Sequence, residues 1–145
     1  MGAQVYLKLL EIQREELNNF PIIYAFDEKQ LEEGLKKLGA TKEECVTIFN
    51  HGDIVKKEDA DAFVNMLKRH TREVQDLLLS DTNVAEEAFL YEMDNHEYAI
   101  NWSGDEDVLS CFGIDIDDLV EMGLKTAYMN ARRRHMDHAR EWDMI

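Results

Sequence analysis

The chain has 145 residues, 45% hydrophobic and 32% charged, a composition that fits one globular domain with its own core and not a disordered chain. Its formal net charge of −15 argues against direct binding to DNA, RNA or anionic lipid, whose affinity comes from Lys and Arg neutralising phosphates. No run approaches the ~20 apolar residues of a membrane span, and Lys8 and Glu11 interrupt the apolar residues near the N-terminus, so a soluble cytoplasmic protein without a secretion signal is expected.

In chain order, Val5 to Phe20 carries Val5, Tyr6, Leu9, Leu10, Ile12, Leu17 and Phe20 at helical spacing, and Asn18-Asn19 ends that helix. Pro21 then opens Ile22 to Phe26, a short β-branched and aromatic run that reads as a buried strand. Asp27 with Gln30 forms a capping pattern, Leu31, Leu35 and Leu38 recur on one helical face, and Gly39 stands where a C-terminal glycine belongs. Thr41 and Glu44 can cap one turn. Val46 to Phe49 and Ile54-Val55 flank Asn50-His51-Gly52-Asp53, which suggests a hairpin with a four-residue loop.

A long amphipathic helix is expected over Lys57 to Leu79, with Phe63, Val64, Leu67, Val74 and Leu78 inward, broken by Ser80-Asp81-Thr82-Asn83. A second helix follows over Val84 to Asn95. Glu97 to Trp102 alternates Tyr98, Ile100 and Trp102 against Ala99 and Asn101, the period of a half-buried strand. Ser103 and Glu106 open a short helix over Asp105 to Phe112 that Gly113 closes. Asp115 caps a final helix running to about Trp142. The expectation is a single α+β domain over residues 1–145, mostly helical, with a small antiparallel sheet of three to four short strands.

Charge is distributed unevenly along this chain. Fifteen of the 31 acids and none of the 16 Lys and Arg fall in the window 73–124, so the remaining acids and bases cancel and the whole net charge sits there. Interspersed charge suffices for solubility, and like-charge repulsion costs stability. The window therefore reads as a binding surface for a basic partner. A single helix presents a carboxylate every ~5 Å at best, against one phosphate per ~1.7 Å of duplex axis, so mimicry of nucleic acid would need several elements presenting acids together.

Other chemistries find less support. The aspartates at 105, 107, 115, 117 and 118 do not complete a calcium-binding loop, which needs its glycine and a twelfth-position Glu. Glu92 and His96 are four apart on one helix, and His135 and His138 are three apart on another, so each pair could supply two ligands to a metal. Cys45 and Cys111 read as reduced, buried thiols, and nothing cationic in sequence lies beside Cys111 to activate it. The serines at 80, 103 and 110 lie outside any nucleophile motif, and no Gly-rich phosphate loop occurs. No cofactor and no catalytic residue is assigned. Arg132-Arg133-Arg134 with Arg140 makes a basic patch on the last helix, suited to pairing with the chain's own acids or those of a second copy in a homodimer.

The stretches FDEKQLEEGLKKLG (Phe26 to Gly39), EEAFLYEMDNHEYAIN (Glu86 to Asn101) and DVLSCFG (Asp107 to Gly113) resemble a family of small uncharacterised proteins carried by phages and mobile elements of gut Firmicutes, over about residues 20 to 113. The resemblance implies a bacterial host cytoplasm and transfers no functional residue. With the charge it suggests a non-enzymatic acidic protein that docks on a basic surface, such as a host defence protein that binds nucleic acid. A counter-defence inhibitor of the anti-CRISPR type is the narrower form. The expected contact residues are Glu86, Glu87, Asp94, Glu97, Asp105, Glu106, Asp107, Asp117 and Asp118. Two alternatives stay open: a metal-dependent enzyme or metal-binding module using Glu92, His96, His135 and His138, and a structural homo-oligomer of a mobile element.

Overall fold

The computed structural model describes residues 2–49, 52–98 and 104–141. Among them the order is α1 (Gly2–Asn19), β1 (Ile22–Tyr24), α2 (Glu28–Leu38), β2 (Cys45–Val46), β3 (Asp53–Lys56), α3 (Ala60–Ser80), α4 (Thr82–Asn95), α5 (Gly104–Ser110), α6 (Ile116–Glu121) and α7 (Lys125–Glu141). The chain is the mostly helical α+β domain expected, and its three strands form one antiparallel sheet in the order β1-β3-β2. Its contacts group into two compact units: residues 13–70, and residues 1–12 with 71–145.

The first unit holds the sheet. Ile22 pairs with Val55 and Tyr24 with Asp53 on one side of β3, and Cys45 with Lys56 and Val46 with Val55 on the other. Val55 is fully buried on the central strand, where it forms a core with Phe63 and Met66 of α3. The β2–β3 hairpin is present, but β2 ends at Val46 and does not reach Phe49, and Asp53 belongs to β3 and not to the loop. Its buried carboxylate accepts the backbone N–H groups of Ile48 and Phe49 at 2.8 and 3.0 Å, so it holds the turn from within. In α2, Asp27 accepts the Gln30 amide at 2.7 Å, and the Gln30 side chain accepts the Phe26 amide at 2.8 Å. Gly34 faces β1 so closely that a Cβ would overlap the Ile23 side chain, so glycine is what lets this helix lie on the strand.

The second unit is built around α4. Ala85, Ala88, Phe89 and Met93 are fully buried, and α7 packs on α4 and buries Ala127, Tyr128 and Ala131 in the same core. Phe89 packs edge-on against Phe112 and Tyr128, with ring centres 5.1 and 5.2 Å away. Such pairs add roughly 0.5–1.5 kcal/mol beyond the area they bury. The break between α3 and α4 is the single residue Asp81, whose carboxylate accepts the Asn83 amide at 2.7 Å.

Two sequence expectations need correction. The last helix does not run from Asp115 to Trp142 without interruption. It stops at Glu121, and α7 starts at Lys125 after Gly123, which takes the left-handed conformation at φ 72°. The Gly123 and Leu124 amides then return to the Val120 and Leu119 carbonyls at 3.1 and 2.9 Å, closing α6 as left-handed glycines do. The strand expected over Glu97 to Trp102 is not entered at its start: Glu97 lies in a turn at φ 51°. Residues 99–102 of that stretch, and the cap expected of Ser103, lie outside the described residues.

Candidate functional site

The nine expected contact acids fall into two groups, according to whether the fold uses them internally. Arg134 of α7 donates to Glu86 and Glu87 of α4 at 2.8 and 2.7 Å, and the bond from Glu87 and then that from Glu86 hold its guanidinium protonated above its ordinary range. About two turns further along α4, the Asp94 carboxylate accepts from Nδ1 of the fully buried His135 at 2.7 Å and from Nδ1 of His138 at 3.1 Å. Asp105 accepts the hydroxyls of both Tyr98 and Tyr128. Burial, and then these bonds to a carboxylate, push both phenols above their usual range. Asp118 and Asp115 cap α6 reciprocally at 2.8 and 3.0 Å. Asp107 is half-buried, whereas Glu97, Glu106 and Asp117 are exposed.

The sequence could not show this division, because it depends on which face of α7 meets α4. Arg134, His135 and His138 lie on that face, and the acids opposite them are structural. Of the remaining carboxylates, Glu106 and Asp117 converge elsewhere, beside Asp105 and Asp115. A groove of about 540 Å³ between α5 and α6 is lined by Asp105, Glu106, Asp115 and Asp117, with Leu109, Ile114 and Ile116 supplying apolar wall. A second depression of about 330 Å³ shares Asp105 and Ile116 with it and continues past Val120 to Met129 and Arg132. Ile116, Val120 and Met129 are 57%, 59% and 46% exposed, so an apolar strip runs beside the acids. Asp115 and the strip were not among the expected contacts. Their signal in the sequence was the i, i+4 pair Ile116 and Val120, which reads as an inward face until Gly123 ends the helix early.

A different constellation lies at the end of α4. Glu92 and His96 are four apart, and Cys111, just past α5, comes between them: its Sγ is 3.4 Å from His96 Nε2, and it also bonds to Glu92. One donor atom from each of the three lies within 4.8 Å of the others. The hydroxyl of the buried Tyr6 donates to Glu92 at 2.6 Å, which fixes the carboxylate. Burial, and then the charge of Glu92, push the Cys111 thiol up to about 12, the opposite of what a free nucleophilic cysteine needs. His135 and His138, which the sequence suggested as partners of Glu92 and His96, are engaged with Asp94, and among the described residues the donors close enough to share an ion are Glu92, His96 and Cys111.

Fold and sites together define a small, strongly acidic helical α+β protein with an open acid-lined groove and a Glu–His–Cys donor cluster. The chain belongs to a family of unknown function (DUF7659), whose model matches residues 5–134 and so includes most of α7, well past the Gly113 limit of the resemblance seen in the sequence. No curated protein and no solved structure matches it. No helix among the described residues is long and apolar enough to cross a membrane.

Proposed function

We propose that this protein is a non-enzymatic binding module that docks a Lys/Arg-rich amphipathic protein segment in the groove between α5 and α6. The observation that carries the reading is the convergence of Asp105, Glu106, Asp115 and Asp117 on one groove with an exposed apolar strip along its edge. A basic amphipathic helix is complementary to both features at once: its apolar face covers Ile116, Val120 and Met129, and its cations meet the acids. Helix-in-groove recognition of this kind sets affinity through the apolar anchors and encounter through the charges. The net charge of −15 adds long-range attraction for any basic protein.

Four carboxylates around one groove are too few and too local to imitate a phosphate backbone, so the acidic surface serves a peptide-sized cationic element. A defence protein that itself holds nucleic acid in a basic groove is the partner class that charge and the mobile-element resemblance suggest, and a counter-defence inhibitor is the narrower form of the reading. Glu106 and Asp117 are the residues to test, because they are exposed and Asp105 and Asp115 have structural bonds. With a synthetic Lys/Arg-rich amphipathic peptide, the double variant Glu106→Lys, Asp117→Lys should weaken binding about tenfold, the equivalent of ~1.4 kcal/mol. Unchanged affinity in the folded double variant, or equal binding of a non-amphipathic peptide of the same charge, would overturn the assignment of the groove.

A further inference from the structure

We propose that Glu92, His96 and Cys111 form a binding site for one thiophilic divalent transition metal ion, zinc being the best-fitting case. The argument rests on three observations. First, the donor set is chemically selective: a thiolate with an imidazole and a carboxylate suits zinc, and a thiolate disfavours magnesium and calcium. Second, the donors are already assembled. Ligands of a tetrahedral zinc at its usual bond lengths stand about 3.5 Å apart for a sulfur–nitrogen pair, and Cys111 Sγ and His96 Nε2 are 3.4 Å apart. Third, the site has support of the kind that orients metal ligands: the Tyr6 hydroxyl, itself buried, holds the Glu92 carboxylate at 2.6 Å.

Binding exchanges the thiol proton for the metal, so one proton leaves for each ion bound and the S–H bond is replaced by a metal–sulfur bond. Glu92 and the Cys111 thiolate together neutralise the ion's two charges. Three protein ligands leave a fourth position for water, and the ion ties the end of α4 to the residue that follows α5.

The test uses the full chain and cobalt(II) as a spectroscopic stand-in for zinc. Stoichiometric cobalt should produce a thiolate-to-metal charge-transfer band and the intense visible bands of tetrahedral coordination, displaced by one equivalent of zinc, with about one proton released. Cys111→Ser should abolish the charge-transfer band, and Cys45→Ser, which alters a half-buried thiol in the sheet unit, should leave it intact. Tyr6→Phe should weaken zinc binding at least tenfold without removing the band. Should Cys111→Ser fail to fold by circular dichroism, His96→Gln provides the same test through loss of the tetrahedral visible bands. A wild-type protein that gives no charge-transfer band with excess cobalt, or a band that survives in Cys111→Ser, would overturn the site.

Discussion

Arg134 reaches two carboxylates at once, Glu86 at 2.8 Å and Glu87 at 2.7 Å, and in doing so fastens α7 to α4 by charge as well as by packing. The arginine run that reads as a free basic patch in the sequence is thus partly a structural clamp. Arg132 follows suit, donating to the Tyr98 hydroxyl at 3.2 Å. Arg134→Met, which keeps the stem and removes the charge, leaves two half-buried neighbouring acids facing each other. Because the Arg134 side chain stays 39% exposed, solvent screening limits the loss to about 1 kcal/mol, readable as a lowered urea midpoint with an unchanged slope. An equal Arg133→Met effect would argue against the clamp, since among the described residues Arg133 bonds within its own helix, to Asn130.

Asp105 and Glu106 are neighbours with different duties. Asp105→Ala strands two tyrosine hydroxyls and should cost about 1–3 kcal/mol of folding stability, whereas Glu106→Gln should stay within about 0.5 kcal/mol of the parent. Thermal unfolding of the two variants side by side decides this.

Gly123 separates α6 from α7, and a Cβ built there meets nothing within 4 Å. Its substitution therefore reports on backbone conformation alone. Gly123→Ala should destabilise by about 1–2 kcal/mol from the left-handed backbone. No loss of stability, or a gain in helical circular dichroism as the two helices fuse, would contradict the break.

Glu16 in α1 bonds to His70, and to Arg69, and these hold its carboxyl below the ordinary carboxylate range. A group whose folded pKa is lowered contributes stability above its unfolded pKa and loses it as pH falls through the folded value. The stability difference between the parent and Glu16→Gln should thus be constant near neutral pH and shrink below about pH 4. Urea titrations at a series of pH values measure it, and a difference that persists into strong acid would contradict the pairing.

The sequence revealed elements whose signals are local. Asp27, Gln30, the leucine stripe and Gly39 outline α2 almost to the residue, because caps and glycine act within one turn. Apolar spacing that continues from Ile116 through Leu124 to Tyr128 predicts one long last helix, and a left-handed Gly123 interrupts it. Glu92 and His96 were visible as a pair four apart, but Cys111 was not visible as their partner: no spacing rule links the end of one helix to a residue fifteen positions on. For the same reason the sequence does not separate the acids that bond within the fold from the others. Arg134, His135 and His138 reach Glu86, Glu87 and Asp94 only because of the face that α7 presents to α4, and that face is set by packing across the fold.

The most direct measurement of the docking proposal is the affinity of the unmodified protein for a Lys/Arg-rich amphipathic peptide as ionic strength is raised. Exposed charges at the groove should lose much of their attraction as the screening length falls from ~30 Å at 0.01 M to ~3 Å at 1 M, so affinity should fall steeply across that range and level off at the part supplied by the apolar strip. Affinity that stays constant across the range would contradict the proposal.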